Sequence, residues 1–330
     1  MSISQSTPEI LDLRHFSSRE LAAVLDVEST YWLKHLHWDY RTSARLLNQY
    51  LDSHSLPGYV ATQEGKPVGY SYFVYEESKA VLGNVFAKME EGGDGDGREK
   101  RQIESRLLKH VFETLFSSPG MERIEAQMLV QATGAHTRQF EEAGFKIHPR
   151  LLMVRSLRGP RVVPVVKLPA DLELRGWRDE DLHPAGRLIA EAYNGHLDSV
   201  INNQYRTIHG ALRFLHNIVR YPGCGVFTPN VSQVIVERTS RELVAMLLCS
   251  RISSESGHIT QICVHPDYRR RGLAHLLLTS AASGFVLQGA TELSLTVTAG
   301  NEDAVRLYQG NGYEVMHRFD AAVWEKAHYA

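Results

Sequence analysis

The fold of the second half is decided by ten residues, His265-Pro266-Asp267-Tyr268-Arg269-Arg270-Arg271-Gly272-Leu273-Ala274. They lie between an apolar segment that ends at Val264 and a segment, apolar on nearly every side, that runs from Gly272 to Leu287. The first segment reads as a strand and the second as a buried helix, which Gly289 is placed to end. A strand that turns directly into a helix leaves backbone N–H groups unpaired at the helix N-terminus, where a phosphate binds readily.

The side chains of this stretch also suit a phosphate. Gly272 and Ala274 are too small to hold a ligand away from the backbone, and Arg269, Arg270 and Arg271 bring positive charge to the turn. Three arginines standing alone would be interpreted as a solvated surface. Their place at a strand-to-helix junction, with small residues at the right offsets, instead predicts a phosphate-binding loop.

The elements around this loop follow in a defined order. Apolar patterns predict strands at 172–177, 231–238, 243–252, 257–264 and 292–298, and helices at 181–193, 205–219 and 272–287. A further helix begins after Asn301, whose side chain can cap it, and Glu302 and Asp303 suit the positive end of its dipole. The second half is therefore a strand meander followed by strand, helix, strand and helix.

The first half of the chain repeats this plan. Leu11-Asp12-Leu13-Arg14-His15-Phe16 matches Leu172-Glu173-Leu174-Arg175-Gly176-Trp177, and Glu142-Ala143-Gly144-Phe145 matches Gly310-Asn311-Gly312-Tyr313. Residues 159–170 contain three prolines and no clear period, which predicts a linker. We therefore predict an α+β fold with three layers (α/β three-layer): two tandem domains at 1–158 and 171–330, each a mixed, mostly antiparallel sheet flanked by helices.

Composition limits the functions open to this chain. It has 330 residues, 43% of them hydrophobic, and a formal net charge of −2, which suits two folded domains. Nucleic-acid binding is not expected, because there is no basic surplus and no aromatic residues alternate with the arginines. No membrane span, metal site, signal peptide or CxxC pair is visible, so we expect a cytoplasmic protein. The duplication would allow a monomer, although the sequence does not fix the oligomeric state.

Two motifs of the second half resemble those of the GNAT superfamily of N-acetyltransferases. Arg269-x-x-Gly272-x-Ala274 matches its Q/R-x-x-G-x-G/A signature, and Asn301-x-x-Ala304-x-x-x-Tyr308-x-x-x-Gly312-Tyr313 matches its second cofactor-binding motif. The resemblance is strong over residues 257–318 and looser back to residue 172, whereas the first half resembles the fold only in outline. It implies an acyltransferase that uses acetyl-coenzyme A (acetyl-CoA) and no metal.

The resemblance also implies where acetyl-CoA would lie. In the family the sheet splays between its fourth and fifth strands, and the pantetheine arm lies in the split. Backbone groups of the fourth strand pair with that arm, here Ile262, Cys263 and Val264, and an amide near Val264 polarises the thioester carbonyl. The expected cofactor-binding set is completed by Arg269, Arg270, Arg271, Gly272, Leu273, Ala274, Asn301, Ala304 and Tyr308.

Acyl transfer from a thioester to an amine needs a neutral nucleophile, a stabilised oxyanion and a proton for the departing thiolate. Given the resemblance, Tyr308 is the candidate acid, because a phenol with a pKa of about 10 can protonate a thiolate with a pKa of about 8.5. Without the resemblance, Tyr308 would be interpreted as a core residue on an amphipathic helix.

The base that receives the amine proton is less well defined. Many family members hold a Glu near the start of the fourth strand, and this chain has His258 at about that place. Imidazole titrates near neutrality, so His258 is a candidate base. Glu255, Glu237, His265 and ordered water are the alternatives.

The first half lacks the features of a second active site. When Gly144-Phe145 is aligned with Gly312-Tyr313, Phe140 stands where Tyr308 does, and a phenyl ring has no proton to donate. Residues 90–97 occupy the place of the phosphate loop, and their four carboxylates would repel a diphosphate. The ligand spacing of an EF-hand is absent, so we expect a solvated loop rather than a calcium site. We interpret this half as a degenerate copy without a cofactor site.

These observations predict an N-acetyltransferase that acts on a primary amine of a small molecule or peptide by direct attack in a ternary complex. Two alternatives remain open. An acyl-CoA sensor without turnover is favoured by the absence of an obvious Glu base, and mycothiol synthase is also a tandem GNAT protein. The acceptor should be shaped by residues 193–221, where Asp198, Tyr205 and His209 are candidates, although we favour ordinary helix-surface roles for them.

Overall fold

The computed structural model describes residues 7–88, 97–159, 167–221 and 223–327. Two compact units are present. Unit 1 consists of Met1–Leu36, Ala44–Pro149 and Arg318–Ala330, and unit 2 consists of His37–Ser43 and Arg150–His317. Most of the expected linker and of the acidic loop, residues 160–166 and 90–96, lies outside the described residues. The domain boundaries inferred from the sequence therefore stay a prediction.

The described helices and strands confirm the predicted fold class. The helices are α1 (Ala22–Leu36), α2 (Arg41–Asp52), α3 (Arg98–Ser117), α4 (Thr137–Glu142), α5 (Leu182–Ala192), α6 (Leu197–Ile201), α7 (Ile208–Arg220), α8 (Leu273–Leu287) and α9 (Glu302–Gly310). The strands are β1 (Glu9–Asp12), β2 (Gly58–Gln63), β3 (Lys66–Glu76), β4 (Lys79–Ala87), β5 (Arg123–Gln127), β6 (Lys146–Ser156), β7 (Leu172–Gly176), β8 (Val226–Phe227), β9 (Gln233–Glu237), β10 (Leu243–Arg251), β11 (Ser256–Val264), β12 (Glu292–Thr298) and β13 (Glu314–Glu325). None of the described helices is both long and apolar enough to cross a bilayer.

Unit 1 is a mixed sheet with helices on both faces. Its strand order is β1-β2-β3-β4-β5-β13, in which only β4 and β5 run parallel. One face packs on α3, whose Leu107, Leu108 and Val111 are fully buried. The other face packs on α1 and α2 through Val24 and Leu51. This is the three-layer arrangement expected from the sequence.

Unit 2 repeats this architecture. Its strand order is β6-β12-β11-β10-β9-β7, with β8 paired to β10, and only β11 and β12 run parallel. The helix α8 packs on one face through Leu277, Leu278 and Phe285, all fully buried, which explains its apolar sequence. On the other face, α5 and α7 pack through Leu188 and Leu215.

The two halves of the chain exchange their last strands. Strand β6 belongs to the first half in sequence, yet its residues 150–156 pair antiparallel with β12 in unit 2. Strand β13 belongs to the second half, yet its residues 321–325 pair antiparallel with β5 in unit 1. Each sheet is therefore completed by a strand that local sequence patterns assign to the other domain.

A buried carboxyl group lies within unit 1. The side chain of Glu28 is fully buried and accepts hydrogen bonds from Tyr70 Oη at 2.6 Å, Asn84 Nδ2 at 2.5 Å and Trp32 Nε1 at 3.1 Å. Burial raises its pKa from 4.5 to about 7, and the three donors only partly oppose this shift. Glu28 therefore changes its charge near neutral pH inside the folded protein.

Replacement of Glu28 by Gln should flatten the pH dependence of stability. Because the folded carboxyl has a raised pKa, it keeps a proton that the unfolded chain loses, so folding stability decreases as the pH rises from 4.5 to about 7. The decrease is up to about 3 kcal/mol. Glutamine retains Oε1 for two of the donors, and the Tyr70 hydroxyl can turn to accept from the new amide. Urea unfolding of both proteins at about pH 5 and pH 8 measures this change in the free energy of unfolding. If the free energy changed between the two pH values by the same amount in Glu28→Gln and in the wild type, the prediction would be refuted.

Candidate functional site

The two parallel strands of unit 2 separate along their length. Pairing between β11 and β12 runs from Ser256 with Glu292 to Ile259 with Leu295, and then stops. Both strands continue, β11 to Val264 and β12 to Thr298. Among the described residues, the carboxyl-terminal part of β11 has no strand partner on its β12 side, so a gap opens between the two strands there.

A β-bulge accounts for the separation. On the other side of β11, Leu248 of β10 faces Gln261 while Cys249 faces Ile259, so Thr260 is an extra residue in β11. Its hydroxyl donates to the Leu248 carbonyl at 3.0 Å. A bulge bends its strand and increases the local twist. This one lies directly after Ile259, where the pairing with β12 ends.

Each strand that borders the gap is held by a neighbour on its outer side. Strand β11 pairs with β10 as far as Val264, which faces Ala245. Strand β12 pairs with β6 as far as Thr298, which faces Arg150. The gap thus persists because neither strand is free to move toward the other without losing an existing ladder. The exchanged strand β6 supplies half of this support.

The predicted phosphate loop follows β11 and leads into α8. Its backbone is left-handed at Arg270, with φ of 60°, and at Gly272, with φ of 78°, and Gly272 is the residue that precedes α8. Left-handed residues in a tight turn can aim neighbouring N–H groups at one concave point, which suits an anion. The Leu276 amide donates to the Gly272 carbonyl at 3.0 Å, so the amides of Leu273 and Ala274 belong to the open first turn of the helix.

The three arginines of this loop differ in their surroundings. Arg269 donates to the carbonyls of Ala192 at 2.7 Å and Val264 at 3.3 Å, so its side chain ties the end of α5 to the end of β11. Arg271 forms an ion pair with Asp171 at 3.0 Å and lies over the ring of Tyr268. Among the described residues, the exposed Arg270 guanidinium has no hydrogen bond or ion pair. The sequence predicted three phosphate ligands, whereas two of these side chains already have protein partners.

The helix α9 lies beside the gap and begins as predicted. Asn301 Oδ1 accepts the Ala304 amide at 3.3 Å and caps the helix. Tyr308, in the last turn of α9, is 7% exposed, and its ring lies 6.0 Å from that of Tyr313. Burial first, and then the negative charge of Asp198, raises the pKa of the Tyr308 phenol. Tyr308 therefore stays protonated at physiological pH.

His258 lies in the paired part of β11 rather than at the gap. It faces Ser294 of β12, and its Nδ1 lies 2.8 Å from the Ser294 hydroxyl, which itself donates to the Gly257 carbonyl at 3.1 Å. The Trp38 ring covers it at 5.1 Å, and the residue is 5% exposed. Burial lowers its pKa from 6.5 to about 4. An imidazole with so low a pKa is a weak base, which argues against the role inferred from the sequence.

The other base candidates lie at partly or fully exposed positions of unit 2. Glu255 contacts Thr291 at 3.2 Å, and Glu237 accepts the Ser240 amide at the end of β9, which lowers the Glu237 pKa. His265 caps the turn after β11 by accepting the Asp267 amide at 3.3 Å. His209, a candidate for the acceptor site, instead lies 3.2 Å from Arg213 on the surface of α7.

A group of polar side chains lines the carboxyl-terminal part of β11, and of these only Tyr205 was a candidate from the sequence. Tyr193 donates to the Ile262 carbonyl at 3.3 Å and accepts from the Gln261 amide at 3.1 Å. The Tyr205 hydroxyl donates to Oε1 of Gln261 at 3.5 Å, and the Tyr205 ring lies 4.6 Å from the Tyr193 ring. Only the aromatic character of residues 193–205 could have signalled this group, since the partners on β11 are set by tertiary structure. Next to it, burial raises the pKa of the Cys263 thiol.

The corresponding place in unit 1 is filled by side chains of that unit. Strands β4 and β5 pair over four residues, as β11 and β12 do, and β4 then continues to Ala87 with β3 as its strand partner. There the Val85 carbonyl accepts from Gln131 at 2.5 Å, and the Ala87 amide donates to Glu104 at 3.3 Å. His136 also bonds Glu104, at 3.0 Å. Backbone groups of this strand end are thus bonded internally, and the buried Phe140 lies on α4.

Within the described ranges, no three His, Cys, Asp or Glu side chains come together as metal ligands would. The polar groups that meet around the gap of unit 2 include backbone amides, hydroxyl groups and amide side chains. Such an arrangement can hold an extended, uncharged chain between two strands and an anion at the helix N-terminus. Pantetheine and a diphosphate have these properties.

Comparison with known proteins agrees with this geometry. Residues 204–313 match the acetyltransferase (GNAT) family model. An acetyltransferase of Sodalis glossinidius is 32% identical over 53 residues, which are 16% of this chain and 37% of that relative. The chain thus spans little more than a third of the curated relative that it matches. The family resemblance inferred from the sequence is confirmed over residues 204–313, which match a family of acetyltransferases.

Solved structures show the same fold over most of the chain. A GCN5-related N-acetyltransferase from Sphaerobacter thermophilus has a TM-score of 0.57 and 19% identity, covering 82% of this chain and 80% of its own. A tandem GNAT protein from the clavulanic acid biosynthesis pathway has a TM-score of 0.57 and 15% identity, covering 98% of this chain and 100% of its own. At these identities the likeness establishes the fold alone, and it confirms the tandem arrangement.

Proposed function

We propose that this chain transfers an acetyl group from acetyl-CoA to a primary amine of a small molecule or peptide, by direct attack in a ternary complex. The observation that carries the proposal is the gap between β11 and β12, which opens after Ile259 and leads to the left-handed turn before α8. Family membership of residues 204–313 supports acyl transfer in general. The proposal places the activity in residues 171–330 and leaves the first half without a cofactor site.

In this proposal the diphosphate of acetyl-CoA binds at the N-terminus of α8. The amides of Leu273 and Ala274 and the exposed guanidinium of Arg270 donate to it, and each charge-assisted contact contributes about 1.5–3 kcal/mol. Arg269 acts indirectly, because its bonds to Ala192 and Val264 hold the turn in place. The pantetheine arm lies along the free edge of Ile262, Cys263 and Val264, a placement supported by the absence of a strand partner there among the described residues.

The reaction joins an amine nitrogen to the acetyl carbonyl carbon and breaks the bond from that carbon to sulfur. A backbone amide near Val264 stabilises the oxyanion, and Tyr308 gives its proton to the departing thiolate. The buried phenol regains a proton from the amine nitrogen through water, so the products are an amide and free coenzyme A. Because its pKa is raised, Tyr308 enters each cycle protonated. The same shift makes the phenol a weaker acid, so its proton moves only as the thiolate forms.

Release of coenzyme A thiol on mixing the protein with acetyl-CoA tests the proposal. We expect release that depends on added primary amine and is equimolar with the acetylated product, measured by a thiol reagent and mass spectrometry. The amine set should include alkyl amines, amino sugars and a peptide with a free N-terminus. Tight binding of acetyl-CoA without thiol release against the whole set would instead support a sensor, which the low pKa of His258 leaves as the second candidate.

A further inference from the structure

Asp198 lies at the end of β12, one of the two strands that border the gap. It occupies the first turn of α6, and its Oδ1 accepts the hydroxyl proton of Thr298, the last residue of β12, at 2.5 Å. Its side chain is 18% exposed, so most of the carboxylate is removed from water while one part remains reachable. The helix α6 therefore delivers a carboxylate to the same end of the sheet as the free part of β11.

Three tyrosines surround this carboxylate. Tyr193 and Tyr205 are fixed to β11 through Ile262 and Gln261, and Tyr308 reaches the same region from α9. The negative charge of Asp198 is among the causes that raise the pKa of all three phenols, although burial is the larger cause for each. The positive charge of Arg150 acts on the phenols of Tyr205 and Tyr308 in the opposite direction.

The neighbouring histidine does not neutralise Asp198. Nδ1 of His196 accepts the backbone amide of Asp198 at 3.1 Å, so this nitrogen carries a lone pair rather than a proton. The same Nδ1 lies 3.6 Å from the carboxylate Oδ2 and cannot donate to it. Among the described residues, the Asp198 carboxylate accepts one hydrogen bond, from the Thr298 hydroxyl, and forms no ion pair with a lysine or arginine. Arg150, which faces Thr298 across β6 and β12, brings positive charge to the same end of the sheet. Within the described part of the chain, Oδ2 of Asp198 accepts no hydrogen bond, and the side chain is 18% exposed, so this oxygen can accept from a cationic donor of a ligand.

We propose that Asp198, with the faces of Tyr193 and Tyr205, binds the cationic ammonium group of the acceptor, so that the substrates of this protein are amines that arrive protonated. This inference rests on the proposed function, because it identifies the second substrate of the same reaction. The carboxylate supplies the counter-charge, and the electron-rich ring faces hold the cation from the side. The ammonium loses one proton to water before its nitrogen attacks the thioester. The second proton leaves the nitrogen after the attack and restores the Tyr308 phenol, so the products are the amide, the free thiol and one proton in solution.

Binding of small cations to the protein loaded with coenzyme A, which lacks the acyl group and so permits no turnover, tests the inference. The probes are n-alkylammonium ions from methyl to hexyl and benzylammonium, each compared with the alcohol of the same shape by calorimetry. We expect at least one ammonium ion to bind roughly 10- to 100-fold more tightly than its alcohol, as a charge-assisted contact would give. Equal affinity for every ammonium and alcohol pair would overturn the inference without any variant.

The variant Asp198→Asn isolates the carboxylate. Asparagine keeps the oxygen that accepts the Thr298 hydroxyl, so we expect the fold and coenzyme A affinity to persist while the preference for ammonium disappears. The matched control is Asp179→Asn, an exposed carboxylate in the turn before α5, which should keep the preference. A preference that survives in Asp198→Asn would overturn the inference. Failure of coenzyme A to bind the unmodified protein would instead count against the proposed function, and the ammonium comparison on the free protein would still decide this inference.

Discussion

The variant Ala274→Asp should lose affinity for acetyl-CoA by roughly 100-fold or more, while its melting temperature stays the same or rises. Ala274 is the second residue of α8, and its amide belongs to the turn proposed to hold the diphosphate. An aspartate there places a carboxylate among those amides and repels the phosphates. The same carboxylate favours the helix itself, because negative charge near a helix N-terminus contributes about 0.3–1 kcal/mol.

Because affinity for acetyl-CoA should fall while the melting temperature does not, this variant distinguishes a loss of binding from a loss of folding. A variant that simply unfolds would lose both affinity and stability, whereas this one should lose affinity alone. Ala274→Ser serves as the control, because a small neutral side chain should change affinity by no more than about threefold. Calorimetric titration and thermal unfolding of the three proteins provide the data. Unchanged affinity in Ala274→Asp would show that the diphosphate binds elsewhere.

The variant Tyr308→Phe should turn over roughly 100-fold more slowly or worse, with acetyl-CoA affinity nearly unchanged. The phenyl ring fills the same buried space beside Tyr313, so the only loss is the hydroxyl proton that the thiolate would receive. Burial and the charge of Asp198 raise the pKa of Tyr308, so the wild-type phenol stays protonated across the usual assay range. The loss should therefore be the same factor at every pH from about 6 to 9, measured as kcat.

A matched control for this change is Tyr59→Phe in unit 1. Tyr59 is half-buried and its hydroxyl bonds Thr114, so the substitution removes a phenolic hydroxyl that the reaction does not use. Its kcat should match that of the wild type. If Tyr308→Phe also matched the wild type at every pH, another group or water would have to protonate the thiolate.

Local patterns in the sequence predicted most elements of unit 2. The alternation of 292–298 became β12, the apolar segment from Gly272 became α8, and Asn301 caps α9. Gly289 follows the last residues of α8 with a left-handed φ of 77°. These features depend on periodicity and capping, which neighbouring residues decide.

The exchange of strands and the bulge in β11 could not be predicted in this way. Whether β6 pairs within its own half or with β12 depends on which partner is available in the folded chain, and the alternation of its side chains fits both. The bulge at Thr260 exists only relative to β10, so a single strand sequence carries no sign of it. Yet both features determine where the gap lies.

The candidate site was predicted in part, for the same reason. The sequence identified the loop before α8, but it assigned to Arg269 and Arg271 a role as ligands, whereas their side chains bond Ala192 and Asp171. His258 looked like a base at a strand end, but Trp38, from a distant part of the sequence, buries it. Asp198 looked like a surface residue because its proximity to three tyrosines is a tertiary feature.

The central claim is that one gap, between β11 and β12, receives a nucleotide thioester. Calorimetric titration of the purified, folded protein with acetyl-CoA tests this claim most directly. We expect saturable binding of one molecule per chain. Unit 1 should bind none, because the backbone groups at its corresponding strand end already bond Gln131 and Glu104. Absence of any binding heat with both acetyl-CoA and coenzyme A, over a range of temperatures, would contradict it.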